Sequence, residues 1–493
     1  MTRCGTRSAC SHRVQSHREV HPPRSDDVTG DHKLAHRCEP LQSSRRRPRV
    51  VIVGGGFGGL TAARALARAE VDVLLIDRRN HHVFQPLLYQ VATAGLNPGD
   101  ITYPIRGALA RQHNARVLLA TATAVDPVNR QVVLEDGALA YDYLVLATGA
   151  THSYFGQDQW AAAAPGLKSV EDALDIRRRV FLAYEAAERE ADPAAQRDWL
   201  TFAVVGAGPT GVELAGALGE LGLETLRNDF RAIDPRQVRV VLFEGRDRIL
   251  LSFPPRLSAA AQRALERRRV QVRLNARVVA IDGAGVTVHI DGRDERIGAR
   301  TVLWAAGVCA SPLGASLGTR CDASGRVEVL PDLSVPGHPE VFAIGDLARV
   351  AQRDGSSVPG VAQGALQAGR HVAALIAAEV AAEVDRSGVR RGAQRGRSPV
   401  PGAAPARPAF HYRSRGNLAT VGRADAVVAT RYFARHGMLA WVLWWVIHIF
   451  FLIGYRNRIL TLFHWAWSWL TFQRSARLIT GPIGRLPPIG IER

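Results

Sequence analysis

Between Arg49 and about Gly369, short β-branched runs alternate with Ala- and Leu-rich segments of helical period. Residues 49–53 predict a strand, 60–69 a helix, and 71–76 a second buried strand, which together make a βαβ unit. The same pattern returns at 201–205, 210–223 and 239–243. This is a repeat of architecture, not of a short sequence period. Apolar stretches at 140–147, 301–306 and 341–344 predict further strands, each ending in a turn. The expected fold class is α/β, with two Rossmann-like units and a helical C-terminal region.

The last fifth follows a different pattern. Residues 438–454 and 459–472 are almost wholly apolar or aromatic, and six of the nine tryptophans fall there: Trp441, Trp444, Trp445, Trp465, Trp467 and Trp469. The first stretch is at the lower limit for a membrane span and the second is too short. Arg456 and Arg458 lie between them, with Arg474 and Arg477 after. Two apolar helices joined by a basic turn predict a hairpin lying in a membrane interface, against an anionic lipid surface. A homodimer interface is the other use of such a surface.

Composition narrows the picture. Hydrophobic content is 47% and charged content 22%, as in globular proteins. The net charge of +18 gathers largely in two segments, 1–48 and 384–409, both read as disordered and basic. Neither pairs its charge with a nucleic-acid recognition pattern, so nucleic acid is not an expected partner. The first 48 residues contain no apolar h-region. Five cysteines form neither a close redox pair nor a zinc-type cluster, so no metal site is expected.

The candidate chemistry begins with glycines. Gly54, Gly56 and Gly59 follow the first strand: the first permits a tight turn, the second a close backbone approach to a pyrophosphate, and the third close helix–sheet packing. Phosphates then meet free N–H groups at a helix N-terminus. Asp77, about 18 residues beyond Gly59, is placed to accept hydrogen bonds from ribose hydroxyls. Gly206, Gly208 and Gly211 repeat the arrangement, with Glu244 as the acid about 33 residues on. That spacing requires a longer helix or an excursion. An acid there disfavours a 2′-phosphate and predicts NADH over NADPH, although Arg246 and Arg248 are close in sequence. Two further strands end in Thr148-Gly149 and in Gly345-Asp346, turns that let backbone and side chain approach a flavin.

In these four motifs the chain resembles the two-dinucleotide flavoprotein reductases, which implies FAD on the first unit and NADH on the second. The implied organisation is an FAD-binding domain at 49–160 and 326–383, an NADH-binding domain at 161–325, and a C-terminal region at 410–493 that anchors to membrane through about 438–472. Disulfide reductases of this superfamily carry a cysteine pair where this chain reads His81-His82-Val83-Phe84-Gln85, and no cysteine lies between Cys38 and Cys309. Electrons therefore have no dithiol exit. Adjacent histidines point in different directions, so His81 and His82 read as surface or structural, and Cys309 reads as a small buried residue.

The stretch 84–95, the sequence Gly211-Val212-Glu213-Leu214-Ala215-Gly216, and Ala362-Gln363-Gly364-Ala365-Leu366-Gln367 are similar to type II NADH:quinone oxidoreductases. The resemblance implies a peripheral, monotopic enzyme on the cytoplasmic face of the cell membrane that passes two electrons to a membrane quinone without pumping protons. It implies that Glu213 steers nicotinamide or assists protonation, and that Ala362, Gln363 and Gln367 serve the flavin and the quinone. Gln363 and Gln367, four apart, share a helix face. Read from the residues alone, Glu213 is an ordinary helix-N-terminal acid and the glutamines a polar helix face. An NAD(P)H-dependent reductase of a protein acceptor, and a flavin-bearing redox sensor, are the rival readings.

Overall fold

A computed structural model describes residues 46–352, 355–392, 407–474, 476–483 and 486–487. The basic stretch expected at 1–48 lies outside them except for its last three residues.

Two open parallel sheets form the frame. The first sheet has the order Ser334–Val335, His338–Ala343, Tyr143–Leu146, Arg49–Val53, Asp72–Asp77, Ala115–Leu119, all parallel except the edge strand Ser334–Val335. The second runs Val270–Arg273, Arg239–Phe243, Thr201–Val205, Thr301–Trp304. The central strands of both sheets are buried on both faces, which is why they read as continuous apolar runs, while the edge strand Ala115–Leu119 is partly exposed. In each sheet the strand before the glycines lies between one that follows it directly and one that returns later. Each glycine loop thus leaves its sheet at a topological switch point.

Several expected boundaries move. The stretch 140–147 is two strands, Gly137–Ala140 on a small antiparallel sheet and Tyr143–Leu146 in the core. Asp142 parts them by accepting the Arg49 amide at 2.6 Å. The helix Pro209–Glu220 continues as a wider π-turn, Leu221–Thr225, and a loop before Arg239. That is the excursion the Glu244 spacing requires. Ala362–Gly392 forms one helix that overruns the expected insertion boundary at 384; Ala381–Val384 continue its helix-forming run, and the helix carries on through Gly388. At the other end of that insertion Arg407 is fixed by Asp332 and Glu379.

The chain crosses between the two sheets at Ala150–His152 and Val308–Ala310, which pair antiparallel. Tyr154 and Trp160 pack with the second unit, whereas Leu313 and Leu317 join the core of the first. The second sheet lies in the chain between these crossings. Cys309 sits in the crossing, half-buried rather than buried, its thiol donating to the His152 carbonyl.

Candidate functional site

The two glycine loops are built alike. Gly54 and Gly206 hold φ of +108° and +96°, and a Cβ on either would meet the backbone of the neighbouring strand's end. A Cβ on Gly59 or Gly211 would run into the carbonyl of Gly54 or Gly206. By contrast, a Cβ on Gly56 or Gly208 would point into open space. Two of the three glycines are thus required by the protein itself, and the third leaves room for something else. Asp77 accepts the Gly55 amide at 2.6 Å and the Arg79 amide at 2.7 Å. Glu244 accepts the Ala207 amide at 2.9 Å and the Arg246 amide at 3.0 Å. Both acids shape their loops as well as presenting a carboxylate.

The first loop opens on a cleft of about 2160 Å³. Its wall includes Asp77, Arg79, Thr121 and Thr123, together with Thr148, Gly149, Asp346, Ala362 and Gln363. Ile447, His448, Phe450 and Phe451 of the C-terminal hairpin line it as well. Gly206, Gly208, Gly211 and Glu244 stand outside this wall, but their helix contributes Pro209, Thr210 and Glu213 to it.

Inside the cleft, Thr148 Oγ1 and His82 Nε2 are buried with no hydrogen-bond partner among the described residues. Buried polar atoms left so are costly, and both suit a polar ligand along this wall. His82 is buried rather than superficial: its Nδ1 donates to the Gly55 carbonyl at 3.0 Å and steadies the loop from below. Burial pushes its pKa down. Gly149 and Gly345 have φ of +68° and +71°, and Asp346 packs beside Gly360. These residues fit the ribityl and phosphate portions of a flavin nucleotide.

Glu213 departs most from ordinary behaviour. Burial pushes its carboxyl up to about 8, opposed only by a long hydrogen bond from the Thr420 amide at 3.4 Å. Glu213 stands beyond the first turn of its helix, which holds no acid, and so lies past the reach of the helix dipole.

The two glutamines also hold the chain. Gln363 Nε2 donates to the Gly416 carbonyl at 2.8 Å while its Oε1 accepts the Arg415 amide at 3.0 Å. Gln367 repeats the pattern with the Arg413 carbonyl and amide, both at 3.0 Å. Their shared face clasps the backbone of 413–416 as a strand would. Gln363 lines the cleft, and Gln367 stands one turn further along the same helix.

The hairpin consists of Met438–Phe451 and Tyr455–Thr471. The first helix is shorter than expected. Gly454, at φ +91° and tight against Tyr103, ends the turn, and Arg458 caps the carbonyls of Leu452 and Phe450. Trp444 and Trp465 are buried in the core that holds Leu214 and Val421, and Trp465 Nε1 donates to Gln90 Oε1 at 2.6 Å. The opposite faces are bare: Leu439, Val442, Val446 and Phe450 form one exposed stripe, and Ile459, Phe463, Trp467 and Leu470 another. Among the described residues no helix is long and apolar enough to cross a membrane.

Comparison with known proteins fixes the class first. Residues 48–369 match the family described as pyridine nucleotide-disulphide oxidoreductase. The chain is 43% identical over 452 residues to the type II NADH:quinone oxidoreductase Ndh of Mycobacterium tuberculosis, covering 90% of this chain and 92% of that one. It is 44% identical over 444 residues to NdhA of the same organism, covering 88% and 90%. The fold matches that of NDH2 from Plasmodium falciparum in complex with NADH, with a TM-score of 0.76 at 19% identity, over 88% of this chain and 100% of that one. The chain belongs to the type II NADH:quinone oxidoreductases of the pyridine nucleotide-disulphide oxidoreductase family.

Proposed function

We propose that this chain is a single-subunit respiratory dehydrogenase that takes hydride from NADH onto FAD and gives two electrons to a membrane quinone without pumping protons. The observation that carries the reading is the course of the cleft, from the first glycine loop past Glu213 to the exposed apolar hairpin. Its length beyond the glycine loop, out to Asp77, Arg79 and Thr121, favours a dinucleotide flavin over a mononucleotide. When bound, that flavin supplies the hydride acceptor and the two-electron donor.

The chain's own residues bind, orient and hold a proton. The amides of the first loop and helix face one pyrophosphate, and those following Gly206 face that of NADH. Glu244 stands where a 2′-phosphate would be repelled, favouring NADH. Glu213, mostly protonated below pH 8, holds a proton at the cleft wall where a quinone must gain one. Ala362 and Gln363, both in the cleft wall, support the flavin side, and Gln363 with Gln367 serves the quinone.

The exposed stripes of the hairpin, rimmed by Arg431, Arg435 and Arg456, suit an anionic lipid surface. In this reading the enzyme is a monotopic protein on the cytoplasmic face of the cell membrane, with pairing of two copies as the competing use of the stripes. The test is NADH oxidation by detergent-purified protein with and without decylubiquinone. Absence of bound flavin, or no acceleration by the quinone, overturns the proposal. Serine at Leu439, Val446 and Phe450 should abolish flotation with anionic vesicles; truncation at Met438 is a poorer test because it strips Trp444 and Trp465 from the core.

A further inference from the structure

His448 lies one turn before the end of the first hairpin helix and lines the cleft between Ile447 and Phe450. Its Nδ1 is 2.6 Å from the Trp444 carbonyl oxygen. A carbonyl only accepts, so Nδ1 carries the proton of the neutral ring. Nε2 is then a lone pair, and the ring's one hydrogen bond among the described residues is the one through Nδ1. Burial pushes the imidazole down to about 4, so the ring is neutral at ordinary pH.

The ring is also held in place. It stacks on Trp444 with centroids 4.1 Å apart and meets Phe84 edge-on at 6.0 Å. Phe84 in turn touches Phe57 at 5.8 Å, and Phe57 stands in the first glycine loop. A row of aromatics thus fixes the hairpin's only cleft-lining imidazole relative to the flavin end.

A quinone presents two carbonyls, which accept hydrogen bonds; a quinol presents two hydroxyls, which donate. An imidazole whose one N–H is already occupied offers nothing to the first and an acceptor to the second. We propose that His448 contacts the acceptor's head group and distinguishes its two redox forms, taking a hydrogen bond from the quinol hydroxyl and making none with the quinone. The inference rests on the quinone reading above. His448 supplies neither of the two protons that convert quinone to quinol, and no covalent bond to it forms. It acts by differential affinity: bound quinol is held more tightly than bound quinone, so reduction within the site is favoured and product release is slowed by the same factor.

The experiment is steady-state NADH oxidation by full-length enzyme in detergent, with decylubiquinone as acceptor and decylubiquinol added as product inhibitor. H448F keeps the stacking on Trp444 and Phe84 but loses the lone pair. Its quinol inhibition constant should rise about tenfold while the quinone KM moves less than about twofold, as expected for one lost hydrogen bond to a buried group. Bleaching of the flavin by NADH, measured alongside, reports whether the nucleotide end is intact. H448Q, whose amide oxygen still accepts, should keep part of the discrimination and serves if H448F loses its flavin. Unchanged quinol inhibition in a variant that turns over normally, or equal shifts in both constants, overturns the assignment of His448 alone. No stimulation of the wild type by quinone overturns the function reading itself.

Discussion

The two glycine loops share nearly every internal contact yet stand in different surroundings. In both, the first glycine turns at positive φ, the third packs against the first, and a carboxylate at the end of the next strand accepts two loop amides. The first loop opens into a deep cleft floored by His82 and Phe57, whereas the glycines of the second lie outside it and only its helix reaches the wall. The skeleton of the loop is a local matter of glycine and carboxylate. Whether its ligand is enclosed or exchanges freely is decided by what packs around it. Enclosure suits a resident cofactor, and exposure suits a substrate that must leave every turnover.

The comparison can be broken most severely at the third glycines. Gly59→Ala should yield protein without flavin and activity down by at least about a hundredfold, since a strained contact of ~3 kcal/mol falls on the enclosed site. Gly211→Ala should keep its flavin absorbance and lose NADH-driven bleaching instead. A loss of flavin in both would mean that the loops are not independent. Next in size is Glu213→Gln. The wild-type carboxyl is protonated below pH about 8, so quinone-dependent kcat should fall as pH rises through that value. The variant should lie about ten- to a hundredfold lower with a flat profile, and an unaltered profile removes the proton from Glu213.

Finer still is the middle glycine. Gly208→Ala meets nothing in the protein, so its melting temperature should stay within about 2 °C while KM for NADH rises several-fold. Gly56→Ala should match it in stability and differ in losing flavin affinity instead. The smallest effect is expected from Glu244→Gln, which retains an oxygen for the Ala207 amide. Its preference for NADH over NADPH should shrink a few-fold, as read from the ratio of kcat/KM values.

How much of this was legible depended on distance along the chain. The strands around both loops follow from apolar runs ended by glycine, and the structure moves them by a residue or two. Asp77 and Glu244 were legible as acids at strand ends, but their bonds to loop amides were not. Gln363 and Gln367 show why legibility fails. Their partners lie about fifty residues on, beyond an insertion, and nothing in a helical period says that a polar face will clasp a backbone. His448 was hidden for a related reason. In a wholly apolar helix a single histidine gives no sign of which way it points, and only the packing of Trp444 and Trp465 turns it into the cleft. The break of 140–147 into two strands turned on Asp142 reaching Arg49, a pairing of residues 93 apart.

The antiparallel pairing of Ala150–His152 with Val308–Ala310 brings together the two places where the chain leaves and re-enters its first unit. Everything between them is, in effect, a cassette with its ends clipped side by side. Such a module can be exchanged for that of another reductase by joining two adjacent ends, with almost no loop to close. A graft at these positions would exchange the second glycine loop together with the part of the cleft wall that its helix supplies, Pro209, Thr210 and Glu213. The crossing is therefore the natural seam for re-engineering this enzyme.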